Sequence, residues 1–269
     1  MTSQTAVHPQ GWVRMTTLDG VASITLNRPE RKNAIDESMW RALAEMLRYV
    51  RYDPDVRVLV LQGANGDFCA GADVAKSKHD EHPIPRLRRI GDVAQALFDL
   101  PMPVIAKVDG IAAGAGLNLA LACDVVAASD RARFSEIFVR RGLSMDSGGS
   151  WLLPRIVGLQ QAKRLALLAE VIDAREAFRL GMVTWITPAD GLDEFVADVA
   201  RKFSALPPIA LEQTKSLLNE GTRVDLPTAI RSEAAAQSVN FATEDAPAAF
   251  RAFLDKTPPP SYTGRWAVR

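Results

Sequence analysis

The chain has 269 residues, 48% of them hydrophobic and 24% charged, which is typical of a globular enzyme with a large core. Its 32 lysines and arginines balance 32 aspartates and glutamates, so the overall charge needed for a nucleic-acid partner is absent. No apolar stretch is long enough to span a membrane, and the first ten residues lack a signal-peptide pattern, so we expect a cytoplasmic protein without a membrane partner.

The cysteines and histidines suggest neither a disulfide nor a metal site. Cys69 and Cys123 lie far apart in apolar surroundings, as expected of reduced, buried thiols. The three histidines, His8, His79 and His82, fall in stretches predicted as loop or tail. We therefore predict no bound metal and no histidine-based catalytic triad.

The first quarter of the chain predicts three strands and one helix. Residues 13–17 and 21–27 flank a glycine turn and are expected to pair as a hairpin. After a polar, basic loop at 27–34, Asp36 is placed to cap a helix that runs to about residue 51. An apolar strand follows at 56–63.

The next segment leads toward the centre of the chain. Residues 68–73 form a short stretch of small residues, and residues 74–85 form a polar loop that could cover a site. A helix is predicted at 86–100 and a buried strand at 104–108.

Glycines and alanines fill the turn between that strand and the following helix. Gly110, Gly114 and Gly116 have small neighbours that let another backbone or a ligand approach closely. The helix N-terminus offers unpaired N–H groups to an oxygen that carries negative charge. Tight packing alone is the alternative explanation. A dinucleotide-binding turn is disfavoured because the third glycine and a later acidic residue of that fingerprint are missing.

The second half of the chain predicts short strands followed by helices. Strands are expected at 125–128, 132–135 and 183–186, and the loop 142–150 leads into a helix near Trp151. Further helices are predicted at 159–170, 174–180, 192–206, 209–220, 227–240 and 246–255. We therefore divide the chain into a core at 11–206 and a helical oligomerisation region at 207–269.

Five stretches, in order, resemble the crotonase (enoyl-CoA hydratase/isomerase) superfamily. They are residues 26–34, 68–73, 110–124, 148–150 and 250–256. The resemblance implies an α/β, ClpP-like spiral of ββα units with C-terminal helices that trimerise. It also implies an acyl-CoA substrate, a homotrimer or a hexamer built as a dimer of trimers, and no cofactor beyond the coenzyme A of the substrate.

The resemblance assigns catalytic roles to two backbone amides. Moving a proton next to a thioester carbonyl places negative charge on the carbonyl oxygen. Two fixed N–H donors stabilise that enolate, and losing one such donor costs roughly 3–4 kcal/mol. By family position the donors are the amides of Ala72 and Ala115.

The resemblance also suggests how coenzyme A is held. Arg31 and Lys32 are expected to meet its phosphates, although such a pair could equally be a solvated face. Phe253 and Lys256 resemble tail residues that reach the nucleotide from a neighbouring subunit. The other residues expected to line the acyl-CoA site are Ala70, Asp73, Gly114, Asn118 and Phe138.

Both glutamates that hold water in the hydratases of this family are absent. The first position falls on Asn118, and a gapless alignment places the second on Phe138. Glu136 would point to the same face as Phe138 if the segment were extended. Glu136 could replace the second hydratase glutamate only if the segment shifted locally.

Asp146 offers the alternative carboxylate. Residues 142–149 and 151–155 resemble the loop and helix of ring-epoxide isomerases of phenylacetate breakdown, and the loop also resembles that of dienoyl-CoA isomerases. A single carboxylate suits an isomerase that moves a proton two carbons along the acyl chain. Near Phe138, Met145 and Trp151 its pKa should be raised. Alternatively, Asp146 only caps the helix at Trp151.

The sequence therefore favours an enolate-forming isomerase with Asp146 as acid and base. An enoyl-CoA hydratase is the enzymatic alternative. A non-catalytic binding subunit with the same fold is the alternative from another class.

Overall fold

A computed structural model describes residues 4–8, 10–73 and 82–267. The strands are β1 Gln4–Val7, β2 Val13–Leu18, β3 Val21–Leu26, β4 Val58–Gly63, β5 Val104–Val108, β6 Ile111–Ala113, β7 Val125–Ser129, β8 Arg133–Ser135, β9 Ile172–Asp173 and β10 Trp185–Thr187. The helices are α1 Glu37–Tyr52, α2 Pro83–Phe98, α3 Ala115–Leu121, α4 Gly149–Val157, α5 Leu159–Leu168, α6 Ala174–Arg179, α7 Leu192–Ser204, α8 Pro208–Gly221, α9 Leu226–Phe241 and α10 Asp245–Asp255. Every helix among the described residues is too short or too polar to cross a lipid bilayer.

In the described part of the chain the strands form two sheets. The larger has the order β1-β2-β3-β4-β5-β7-β10, antiparallel from β1 to β3 and parallel from β3 onward. The smaller has the order β6-β8-β9. Because parallel strands run in the same direction, the loops after β3, β4 and β5 all leave from one edge of the large sheet.

Helices cover both faces of the large sheet, which is why its central strands are apolar on both sides. On one face, α1 and α2 pack over a core that includes Ile24, Leu59 and Leu61. On the other face, α7 places Val196 and Val199 in the second apolar cluster. Asp36 caps α1 as predicted, accepting hydrogen bonds from the amides of Ser38 and Met39 at 3.0 and 3.1 Å.

A strand–strand–helix unit is repeated along the chain. The series β5-β6-α3 is followed by β7-β8 and then α4. In each case the first strand joins the large sheet and the second joins the small one. This repetition matches the ββα units expected from the sequence.

The C-terminal helices leave a large apolar surface uncovered in a single chain. In the described residues α8 buries no side chain, and α9 buries only Ala236. The exposed apolar side chains of these helices include Leu218, Leu226, Ile230, Phe241, Phe250, Phe253 and Leu254. This composition is compatible with an assembly region, and the boundary between 206 and 207 stays a prediction.

Several predicted elements differ in position from the observed ones. The strand expected at 183–186 is β10 at 185–187, and the helix expected at 86–100 is α2 at 83–98. Strands β1, β6 and β9, of four, three and two residues, were not predicted. Of the loop predicted at 74–85, residues 74–81 lie outside the described residues.

Candidate active site

Three segments from distant parts of the chain run side by side at the edge of the small sheet. The amide of Cys69 donates to the carbonyl of Ile111 at 2.9 Å, and the amide of Ala113 returns a bond to Cys69 at 2.9 Å. The amide of Gly114 in turn donates to Ser135 at 2.9 Å. This ladder brings the stretch after β4, the turn before α3 and the end of β8 together.

The two amides predicted as oxyanion donors lie in adjoining segments. Gly71 has φ +99°, and a Cβ atom there would lie 2.8 Å from the Ala113 carbonyl oxygen and 3.6 Å from the Ala115 nitrogen. Only glycine allows this approach without displacement. Within the part of the chain that the structure describes, neither the Ala72 nor the Ala115 N–H has an acceptor. Two donors are therefore available to a ligand oxygen.

A buried ion pair holds the Ala72 segment in place. Arg28 Nη1 lies 2.7 Å from Asp73 Oδ2, with the two side chains only 3% and 7% exposed. Backbone hydrogen bonds hold the same segment, since the Ile35 amide donates to the Gly71 carbonyl and the Asp73 amide donates to the Ile35 carbonyl. The Asp73 carboxylate, predicted to contact substrate, is thus engaged with a protein partner. Arg28 itself was not predicted as a site residue, although it lies within the family-like stretch at residues 26–34.

Asn33 joins the loop after β3 to the loop after β4. Its fully buried side chain donates to the carbonyls of Ala64 and Asp67 at 2.9 and 2.6 Å. Its Oδ1 accepts from the amide of Arg28 at 2.8 Å. Asn33 matched a family stretch in the sequence, and the structure gives it this bridging contact.

Arg31 and Lys32 lie at the surface beside these loops. Both side chains are exposed, and Lys32 Nζ is 3.9 Å from Asp67 Oδ2. The Lys32 carbonyl accepts from the Ala70 amide at 2.9 Å, which connects this basic pair to the segment that carries Ala72. Their contact with coenzyme A phosphates stays a prediction.

Asn118 connects α3 to the loop that carries Asp146. It is fully buried, and its Nδ2 donates to the main-chain carbonyl of Asp146 at 2.9 Å. A Cβ atom at Gly149 would lie 2.4 Å from the Asn118 amide, so the first turn of α4 can approach only because residue 149 is glycine. Asn118 follows Ala115 by about one helical turn. The Asp146 loop is therefore anchored next to the predicted oxyanion donor.

Asp146 is a half-buried carboxylate beside this anchor. Its Oδ1 accepts from Ser147 Oγ at 2.9 Å. Burial raises the pKa of Asp146 above its ordinary value, and the Ser147 hydrogen bond partly offsets that rise. This direction of the pKa shift agrees with the expectation from the sequence.

The helix-capping explanation of Asp146 is wrong. Helix α4 begins at Gly149, its N-cap is Gly148, and no side chain caps it. Asp146 contributes only its carbonyl, which accepts from the Gly149 amide at 3.0 Å. The carboxylate remains available for another role.

Glu136 and Phe138 lie at the start of a 3₁₀ helix and not on an extended segment. Residues Ile137–Arg141 form a 3₁₀ helix, so the argument from an extended segment is wrong. Phe138 is 7% exposed and packs on the turn before α3, where a Cβ atom at Gly114 would lie 3.6 Å from its ring. Glu136 is 1% exposed. Burial raises its pKa to about 8, with the Asn118 side chain opposing the rise and the Asp146 charge adding to it.

The two predicted tail residues lie at the end of α10. Phe253 is 80% exposed, and Lys256, which follows the helix with φ +54°, is exposed as well. Solvent exposure in a single chain is compatible with a contact made across a subunit boundary. That role stays a prediction.

Comparisons with known proteins give consistent matches. The family model described as enoyl-CoA hydratase/isomerase matches residues 16–265. The chain is 37% identical over 252 residues to the 1,2-epoxyphenylacetyl-CoA isomerase of Escherichia coli K12, covering 91% of this chain and 96% of that protein. It is 34% identical over 241 residues to a short-chain-enoyl-CoA hydratase of Clostridium acetobutylicum, covering 88% and 92%. A crystal structure of an enoyl-CoA hydratase/isomerase from Cupriavidus metallidurans CH34 superposes with a TM-score of 0.87 at 38% identity, covering 96% and 98%.

Proposed function

Because the chain belongs to the enoyl-CoA hydratase/isomerase family, we propose that it shifts a double bond in an acyl-CoA through a thioester enolate. The family match and the structural similarity confirm the crotonase fold class predicted from the sequence. The chain is therefore an enzyme of the crotonase family. The isomerase activity, the identity of the catalytic residues and the assembly into oligomers are part of this proposal.

The unpaired amides of Ala72 and Ala115 support an enolate mechanism. A thioester oxygen placed between them would receive two hydrogen bonds that strengthen as negative charge develops on it. The Arg28–Asp73 ion pair and the close contact at Gly71 hold the donors before substrate arrives. We accordingly assign Asp73 to positioning Ala72.

The single observation that carries the isomerase proposal is the unequal exposure of two carboxyl groups. Asp146 is half-buried and partly accessible, whereas both carboxyl oxygens of Glu136 are enclosed by protein. Adding water by the hydratase mechanism needs two carboxyl groups that reach the same water. A double-bond shift needs only one, because the group that removes a proton can return it.

The proposed reaction is balanced without another reactant. The Asp146 carboxylate takes a proton from one carbon of the acyl chain, and the electron pair moves onto the thioester oxygen as the enolate forms. The resulting carboxylic acid returns the proton two carbons along, and the electron pair re-forms the double bond at its new position. The raised pKa of Asp146 favours this return step.

The hydratase alternative is favoured by one observation in the structure. Glu136 lies close enough to Asp146 for the charge on Asp146 to raise its pKa, so the two could act as an acid–base pair if the enclosing side chains opened. The E. coli relative named above is an isomerase and the Clostridium relative is a hydratase, so family membership is compatible with either activity.

Product analysis separates the two reactions. The enzyme is incubated with trans-2-, cis-3- and trans-3-enoyl-CoA, and the amounts of hydroxyacyl and isomerised enoyl products are measured. We expect isomerisation, and a loss of about 10² to 10⁴ in kcat for Asp146→Asn with unchanged binding. Asp92→Asn, at an exposed position on α2, is the matched control and should behave as the parent. Hydroxyacyl-CoA as the main product would overturn the proposal.

A further inference from the structure

The two segments that carry the proposed donors meet along a very short backbone pairing. In the described residues this pairing is an isolated parallel bridge, with Cys69 opposite Ala112. A slip by one residue would change which groups lie opposite each other, and with it the separation of the Ala72 and Ala115 amides. Contacts outside the bridge must therefore help to fix the register of the two segments.

The side chain of Asp67 supplies such a contact. Its Oδ1 accepts a hydrogen bond from the Ile111 amide at 2.9 Å. In the opposite direction, the Ile111 carbonyl accepts from the Phe68 amide at 3.1 Å. Asp67 stands at the start of the segment that leads to Ala72, and Ile111 is the first residue of β6, which leads to Ala115. The two donor segments are thus joined by a side chain ahead of the bridge.

Gly110 makes room for this side chain. A Cβ atom at Gly110 would lie 2.4 Å from Asp67 Oδ1 and 2.1 Å from the Gly66 carbonyl oxygen. Gly110 also has φ +55°, a backbone conformation that favours glycine. The first glycine of the turn before α3 therefore admits the Asp67 carboxylate to the Ile111 amide.

The other contacts of Asp67 leave this hydrogen bond as its main side-chain interaction. The Asp67 carbonyl accepts from Asn33 Nδ2 at 2.6 Å, which holds the main chain of the residue. The second carboxylate oxygen, Oδ2, lies 3.9 Å from Lys32 Nζ. Because Lys32 is 66% exposed and Asp67 24% exposed, this ion pair is screened by solvent and contributes little to stability.

We propose that Asp67 is a positioning residue that fixes the register of the two donor segments and so sets the separation of the Ala72 and Ala115 amides. It acts through these amides and takes no part in proton transfer. This inference rests on the oxyanion site of the proposed function. It does not depend on Asp146 or on the choice between isomerase and hydratase, because either reaction places negative charge on the thioester oxygen.

Two substitutions separate the hydrogen bond of Asp67 from its charge. Asp67→Asn keeps a side-chain oxygen that accepts from Ile111, so kcat and deuterium exchange next to the thioester should stay near those of the parent. Asp67→Ala removes the acceptor, and both rates should fall about 10- to 100-fold with KM nearly unchanged. Parent-like rates in Asp67→Ala would overturn the inference. An Asp67→Asn enzyme as slow as Asp67→Ala would also overturn it, because the charge beside Lys32 would then be responsible.

Asp53→Ala is the matched control. Asp53 is half-buried like Asp67, and its Oδ1 accepts from the Asp55 amide at 3.0 Å. Asp53 precedes β4 and Asp67 follows it, so the two side chains lie at opposite ends of this strand. Asp53→Ala should match Asp67→Ala in melting temperature and keep the kcat of the parent. Equal losses of kcat in the two variants would assign the effect to general destabilisation and refute the role of Asp67.

The infrared carbonyl stretch of bound butyryl-CoA, isotope-labelled at the thioester carbonyl, gives a readout that needs no turnover. Hydrogen bonds from two aligned amides polarise the carbonyl, so its stretching frequency should fall on binding. The parent, Asp67→Asn and Asp53→Ala should all show this shift, and Asp67→Ala should lose a large part of it. A full shift in Asp67→Ala would overturn this inference alone. A parent without any shift would refute the oxyanion site itself, and the role of Asp67 with it.

Discussion

Gly71→Ala tests whether the contact between the two donor segments supports catalysis. The added Cβ atom would lie 2.8 Å from the Ala113 carbonyl oxygen, about 0.6 Å closer than the 3.4 Å at which ordinary contact begins. Ala113 is held by its hydrogen bond to Cys69. The close contact can therefore be relieved only if the segment that carries Ala72 moves away from Ala115.

Gly71→Ala is expected to have two separate effects, one on stability and one on catalysis. Alanine at φ +99° is strained, which lowers the free energy of unfolding by about 1–3 kcal/mol. Displacing one donor of an oxyanion hole lowers kcat by about 10² to 10³. We therefore expect a folded enzyme that is less stable and about a hundredfold slower.

The assay measures enolate formation directly. Exchange of deuterium from solvent into the carbon next to the thioester reports proton removal before any product forms, and calorimetry measures acyl-CoA binding. Gly158→Ala is the matched control, because Gly158 has φ +77° but no atom within 4 Å of an added Cβ. It should lose similar stability and keep its exchange rate. A Gly71→Ala protein that exchanges at the rate of Gly158→Ala would refute the oxyanion site at Ala72 and Ala115.

Three further predictions concern binding, stability and assembly. Arg31→Glu combined with Lys32→Glu should weaken acyl-CoA binding without unfolding the chain, since both side chains are exposed, and unchanged affinity in low-salt calorimetry would contradict the phosphate contact. Asp73→Asn leaves Arg28 buried without its counter-charge and should lower the free energy of unfolding by about 3–5 kcal/mol in urea titrations. A loss below about 1 kcal/mol would show that the pair is not a stabilising contact. The apolar side chains exposed on α8–α10 should be covered in a trimer or hexamer, and a monomer in light scattering at micromolar concentration would refute this assembly.

The local pattern of the sequence was sufficient for most of the secondary structure, whereas the fold class came from the resemblance to a family. Apolar runs predicted the strands of the large sheet other than β1, and Asp36 predicted the start of α1. Small residues marked the two segments that carry Ala72 and Ala115. These features depend on neighbours along the chain, because a buried strand needs apolar residues and a capping oxygen favours a helix start. They can therefore be predicted without knowledge of distant contacts.

Which buried polar groups meet was decided only by the tertiary structure. Asn118 reaches Asp146 across 28 residues of sequence, and Arg28 reaches Asp73 across 45. The 3₁₀ helix that follows β8 determines where Glu136 and Phe138 point, and no periodicity in five residues distinguishes that turn from an extended segment. A buried polar side chain must find a partner, but its residue type says only that a partner is needed. The packing of α3, α4 and the end of β8 selects that partner.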